Sequence, residues 1–292
     1  IRDSLSCVTA ADKTYRKVCY IPMKKIQVTT IYIILIICAI LFCMPLLFSV
    51  SLSFCDLSDI LKGNFIPKAI KWDNYIKVFQ TQPLLKYIYN SVIAGVLCTV
   101  LQVLLSVAAA YAIVFIPFRG KKIIFLTMMA TMMIPTEVLI ISNFQVIRSW
   151  GLLNTFTGLI LPSIATTFGI FLFRQNMMQI PVELKEAATV VGISDFKFFT
   201  KVVIPMVKNT TTTLMIYFFL VNWNSYLWPL LSTTDDTVRT VQIGLRQLKN
   251  TDAVSDFGVM AAGTIITTLP TLILIFFGQK RLQEGMTKGA LK

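Results

Sequence analysis

The sequence predicts an all-α, polytopic membrane protein, with six transmembrane helices in one domain and a single water-facing helical segment on the cytoplasmic side. Three observations predict it. Of 292 residues, 55% are hydrophobic and 14% charged, and the mean hydropathy is +0.72, whereas soluble proteins carry about a quarter charged residues. The apolar residues gather in runs of about 20 or more, the length that crosses a bilayer as a helix. The basic residues gather in alternate connections between those runs, the bias that orients membrane proteins.

The same composition excludes several classes of function. The net charge is +13, but no basic block interleaved with aromatics is present to grip phosphates, so nucleic acid is not an expected partner. There is no histidine, which removes Ser-His-Asp and Cys-His catalysis and most zinc sites. The six cysteines, Cys7, Cys19, Cys38, Cys43, Cys55 and Cys98, form no C-x-x-C pair and read as unpaired small hydrophobes. Gly258 and Gly263 have the glycine spacing of a phosphate-binding loop, yet the chain continues with Thr264 inside an apolar run. No catalytic, cofactor-binding or metal site is expected.

Residues 1–27 are read as a cytoplasmic N-terminal tail without an assigned function. Lys24 and Lys25 lead into the first span, residues 28–54. Its basic flank and apolar core resemble a signal peptide, but the run is too long and lacks small residues before Cys38. Residues 55–86 form an outer loop, with Trp72, Tyr75 and Phe79 suited to an interfacial helix. The second span, 90–116, offers Ser106, Ala108, Ala109, Ala110 and Ala112 as a small-residue surface for close helix approach. Pro117–Lys122 is a basic cytoplasmic turn. The third span, 123–142, is interrupted at Pro135 and carries Glu137, about 22 Å from the inner end at 1.5 Å per residue. An ionisable group in a span costs about 2.5–3.5 kcal/mol to insert; at this depth it reads as a structural or pathway-lining carboxylate rather than a proton carrier. Residues 144–155 are an outer loop, 156–178 the fourth span, 205–231 the fifth, 232–256 an outer loop, 257–278 the sixth span and 281–292 a cytoplasmic tail. The transmembrane domain is 28–280.

Six spans place both termini on one side. With that side inside, 18 of the 27 basic residues are cytoplasmic, so the expected orientation is N-in, C-in.

The stretch from Pro181 to Pro205 is then cytoplasmic. Pro181 suits a helix start, and Leu184, Ala187, Ala188 and Val191 recur at i, i+3, i+4 and i+7, giving one apolar face. Gly192 is a helix stop, Ser194 the cap of a second helix, and Phe196, Phe199, Val202 and Val203 its apolar side. Two readings fit: a helix lying on lipid headgroups, or one entering a groove of a soluble partner. The alanines bury little area in a membrane but fit a narrow groove, which favours the second.

The spacing Glu186-Ala187-Ala188, three residues, Gly192, nine residues, Val202, one residue, Ile204-Pro205 resembles the EAA loop of ABC-importer permeases, with valine and isoleucine where isoleucine and leucine are usual. Gly151-Leu-Leu-Asn154, Leu161-Pro162, Phe173-Arg-Gln175, Ile180-Pro-Val-Glu183 and Trp223-Asn-Ser-Tyr-Leu-Trp-Pro229 extend the resemblance over residues 28–290, to the maltose and sn-glycerol-3-phosphate branch of the carbohydrate-type permeases. The resemblance implies a type I importer permease in the bacterial cell membrane, paired as a heterodimer with a homologous permease. It also implies an ATPase dimer that binds the ATP below, an extracytoplasmic solute-binding protein above, and no cofactor in this chain. Glu186, Ala187, Ala188, Gly192, Ile204 and Pro205 would couple the permease to the ATPase.

Asn222, Trp223, Asn224 and Tyr226, near the outer end of the fifth span, have two readings. They form either an interfacial aromatic belt with helix–helix hydrogen bonds, or part of a translocation pathway or binding-protein surface, with Glu137 as a further pathway candidate. The runner-up function, an ATP-independent secondary transporter or channel, is disfavoured because the spans carry only one clear ionisable residue, Glu137, and show no obvious internal inverted repeat.

Overall fold

The computed structural model describes residues 25–70, 72–248 and 256–287, with side chains over 28–70, 72–248 and 256–280. Residues 1–24 and 288–292 of the expected tails, and Lys249 and Asp252 of the last outer loop, lie outside the described residues. All regular structure among the described residues is helical, as predicted. Among the described residues three helices are long and apolar enough to cross a membrane, and three bent helix pairs bring the possible crossings there to six.

Helix α1 (Lys25–Ser53) is apolar on every side and keeps Pro45 within it. A helix hydrophobic all round suits lipid, and Tyr32, Phe42 and Leu47 are exposed. Residues up to Phe48 form one unit and those from Ser49 a second. In the second, Phe54, Trp72 and Tyr75 form an aromatic triangle with ring centroids 5.2–5.6 Å apart. Asn74, on α2 (Asp73–Thr81), donates to the Ser53 and Cys55 carbonyls at 2.9 Å.

Helix α3 (Leu84–Phe115) is the centre of this unit, with α7 (Thr167–Met177) and α10 (Lys208–Trp223) packed on it. It starts six residues before the predicted 90. The small-residue surface divides by helical period: Ser106 and Ala110, four apart, are buried, while Ala108 is exposed. At Gly169 an added Cβ would stand 2.4 Å from Ser106 Oγ, so α3 and α7 touch through the smallest side chains.

The third predicted span is broken. Helices α4 (Lys121–Thr131) and α5 (Ile140–Ser149, entered through a 3-10 turn from Thr136) meet at 90°. Pro135 has no N–H and takes an extended conformation, and the chain turns through i to i+3 bonds at Met132, Met133 and Ile134. Helix also replaces the predicted loop over Phe144–Ser149. Ile140, Phe144 and Ile147 recur at i, i+4 and i+7, and Ile147 is buried; Gln145, Arg148 and Ser149 on the other face disguise that period. The fourth span bends by 51° between Phe156–Ser163, which contains α6 (Phe156–Ile160), and α7.

Within the predicted fifth span a helix begins at Lys208. Helix α9 (Asp195–Met206) bends by 74° into α10, and a further break at Asn224–Tyr226 precedes α11 (Leu227–Ser232). After α12 (Val241–Gln247) the last helix, α13 (Phe257–Thr287), continues past the predicted 278. Two apolar cores result. One contains Tyr111, Phe173, Ala188, Phe198 and Val203, the other Val78, Tyr87, Trp223, Val241 and Ala262.

Gly244 lies flat on the buried Tyr87, where an added Cβ would sit 2.2 Å from the ring. Gly244→Ala is expected to cost about 1–3 kcal/mol through overpacking, seen as a lower thermal midpoint of the detergent-solubilised protein.

Candidate functional site

The segment after Pro181 folds as its sequence reads. Helix α8 (Val182–Val190) starts after Pro181 and ends at Gly192, whose φ is +79°. The Gly192 N–H donates to the Thr189 carbonyl at 3.0 Å and the Ile193 N–H to the Ala188 carbonyl at 2.8 Å. This pair of bonds is the Schellman closure, which needs a left-handed residue and so favours glycine. Ser194 then caps α9, its hydroxyl accepting from the Lys197 N–H. A π-helical turn over Phe199–Val203 sits in α9, just before Pro205, and loosened helical bonding of this kind is common at functional positions.

Of the predicted apolar face of α8, Leu184, Ala187 and Val191 are exposed, and only the placement of Ala188 is corrected. Ala188 is 7% exposed and belongs to the core, whereas Val190 and Val191 are 87% and 75% exposed. A methyl group at 188 lets α8 lie close on the bundle, so Ala188 holds the helix in place instead of projecting from it. Glu183, Glu186, Ala187 and Val190, at i, i+3, i+4 and i+7, are all exposed and make the outward face. Phe196 (75% exposed) stands clear of the core on the next helix, and Ile204 and Pro205 are also exposed. The strip combines two carboxylates with small and branched apolar groups.

At the other candidate region, α10, α11, the Pro135 break and the 3-10 turn at Leu161–Ser163 line a half-open cavity of about 560 Å³. Gln102, Glu137, Asn143, Ser163, Asn222, Ser225, Tyr226 and Trp228 contribute to its wall. The Asn222 amide donates to Gln102 Oε1 at 3.0 Å and Thr99 Oγ1 at 3.3 Å, and the Gln102 amide donates to the Ser163 carbonyl at 2.7 Å. Trp228 Nε1 donates to the Leu159 carbonyl at 2.9 Å, and the Tyr226 hydroxyl accepts from Arg246. Glu137 is exposed, with no ion pair among the described residues. The wall thus offers amide, hydroxyl and aromatic groups and one carboxylate, a surface suited to a polar solute of a few rings.

Of the predicted pathway residues, Glu137, Asn222 and Tyr226 line this cavity and two do not. Trp223 is 1% exposed, packed in the second core with its Nε1 donating to the Thr267 carbonyl at 3.1 Å. It points about 100° away from Asn222 around the same helix. Asn224 turns its amide back onto the Leu220 carbonyl at 2.8 Å, at the end of α10. Sequence reading missed Gln102, Asn143 and Ser163. Gln102 had a usable signal, a lone amide inside an apolar run. No group of His, Cys, Asp and Glu among the described residues could hold a metal ion.

The family described as "Binding-protein-dependent transport system inner membrane component" matches residues 102–288, a range that contains both regions. The arabinooligosaccharides transport system permease protein AraQ of Halalkalibacterium halodurans is 31% identical over 253 residues, covering 85% of this chain and 90% of that protein. The sn-glycerol-3-phosphate transport system permease protein UgpE of Yersinia pestis is 31% identical, covering 87% and 94%. The lactose transport system permease protein LacG of Rhizobium radiobacter is 30% identical, covering 87% and 93%. The fold matches a chain in the crystal structure of a bacterial ABC transporter involved in import of the acidic polysaccharide alginate, with TM-score 0.79, 22% identity, and 88% and 96% of the two chains covered.

Proposed function

Because the chain belongs to the family of inner membrane components of binding-protein-dependent transport systems, we propose that it is a permease subunit of an ABC importer for a polyhydroxylated solute, a di- or oligosaccharide or sn-glycerol 3-phosphate. It lies in the cell membrane with both termini in the cytoplasm. A homologous permease completes the transmembrane pathway, an extracytoplasmic binding protein delivers the solute, and an ATPase dimer on the cytoplasmic side binds and hydrolyses the ATP. The chain itself holds no cofactor and performs no chemistry.

The exposed strip of α8 carries this reading. Glu183, Glu186, Ala187 and Val190 stand outside the core on a short helix fixed at both ends, and with Phe196 they suit a groove on a soluble subunit. The α8 strip, rather than the buried Ala188, enters the ATPase cleft. Closure of the ATPases then tilts α8 and α9 together, and the bend between α9 and α10 passes the movement into the fifth span, a hinge transition within an alternating-access cycle. The cavity beside Asn222 is this subunit's share of the solute pathway. Amides, hydroxyls and an indole face suit sugars and polyols, and the solutes in the relatives' names are all polyhydroxylated. An ATP-independent transporter would have no use for the α8 strip.

Affinity purification of the tagged chain from native membranes tests the reading. A nucleotide-binding subunit should copurify with the wild type and fall at least fivefold with Glu186→Lys, which reverses an exposed charge in the strip. A wild-type preparation without any ATPase would refute the assignment.

A further inference from the structure

Helix α8 touches the core through few groups. Ala188 is its one buried residue, and a methyl group alone leaves a nine-residue helix free to roll about its axis. A second fixed point lies three residues earlier. Lys185, whose side chain is 21% exposed, reaches across the Gly192 turn and pairs with Asp195, the first residue of α9. Its ammonium also stands 4.9 Å from the ring centroid of Phe198, which is fully buried. Phe198 meets Phe115 of α3 edge-on at 5.6 Å, and the Tyr111 hydroxyl of α3 donates to the Asp195 carbonyl at 3.1 Å. One cationic group therefore joins α8 to α9 at a point where α9 is held to α3. An ion pair this exposed on the Asp195 side contributes little to stability by itself. Its direction is what matters: Lys185 and Ala188, at i and i+3, fix one side of α8 to the bundle and so turn Glu183, Glu186, Ala187 and Val190 outward.

We propose that Lys185 is a positioning residue for energy coupling: without touching the ATPase, it sets the roll of α8 and makes α8 and α9 move as one body. The proposal rests on the assignment of the chain as an ABC-importer permease.

The test uses the whole complex purified from membranes, with Ser225→Cys as a reporter in the cavity of a chain lacking its other cysteines. In the otherwise unaltered chain, trapping the ATPase with ADP and vanadate should change the rate of maleimide labelling at position 225. Lys185→Met should reduce that change at least fivefold while the amount of ATPase recovered and basal ATP hydrolysis stay within twofold. Lys185→Arg should restore it, because the guanidinium keeps both the charge and the aromatic contact. An unchanged labelling response in Lys185→Met would overturn the proposal. So would loss of bound ATPase in that variant, which would make Lys185 an assembly residue. Absence of ATPase from the unaltered complex would instead overturn the assignment on which the proposal rests.

Discussion

Gly192→Val is expected to leave the chain in the membrane but to lower binding-protein-stimulated ATP hydrolysis by the complex about tenfold or more. The reason is backbone conformation. Gly192 sits at φ +79°, and nothing lies within 4 Å of the Cβ a substitution would add, so crowding inside the chain is not the obstacle. A β-branched residue is a true outlier at positive φ, and holding one there costs about 1–3 kcal/mol. The chain escapes that cost by opening the two bonds that close α8, Gly192 to Thr189 and Ile193 to Ala188. Helix α8 then loses its fixed angle to α9, and the outward strip no longer meets its groove squarely. A misplacement on this scale amounts to about tenfold per 1.4 kcal/mol. The expected order of activity is Gly192, then Asn, then Ala, then Val, because asparagine tolerates the left-handed region best among the three. If the glycine were needed only so that the ATPase could approach its bare Cα, asparagine would fail as badly as valine. Measuring hydrolysis across the four side chains decides between the two causes.

Much of this geometry is legible in the sequence because it rests on local chemistry. A proline start, a glycine stop and a serine cap at the right spacing give α8, its turn and the start of α9, and the apolar runs give the long helices. What is not legible depends on tertiary contact. The sequence offers Ala187 and Ala188 as equals on one face, yet the bundle buries one and leaves the other exposed, a choice that only neighbours such as Phe198 can make. Trp223 and Asn222 are adjacent in a run of polar and aromatic residues, and helical rotation sends one to the core and the other to the cavity. The breaks at Pro135 and near Val207 show the same limit. Proline announces that a helix is interrupted, but the angle, 90° in one place and 74° in the other, is set by what each half packs against. The Lys185–Asp195 pair, ten residues apart across a left-handed turn, follows no period at all.

The largest effect expected in the cavity is at Asn222. Its amide donates to Thr99 and Gln102, and the Gln102 amide donates in turn to the Ser163 carbonyl. The chain of bonds runs from α3 through the cavity wall to the turn before α7. Asn222→Leu removes the donor and leaves the Gln102 oxygen at the cavity without it, a loss of about 1–3 kcal/mol for a buried group left unpaired. Gln102 is then free to swing into the space a solute hydroxyl would occupy. In proteoliposomes holding the whole complex, uptake of arabinotriose and of sn-glycerol 3-phosphate serves as the assay, and whichever the wild type accumulates should fall about tenfold or more. ATPase recovery should be unchanged, because neither Asn222 nor its hydrogen-bond partners belong to α8. The alternative is that Asn222 merely ties α10 to α3. In that case Asn222→Leu lowers the thermal midpoint, while uptake per folded complex and its half-saturating solute concentration stay at wild-type values. Gln102→Leu separates the two again: a tie through Thr99 alone survives it, whereas a solute-facing network does not, so a matching loss of uptake in both variants places the network in the pathway.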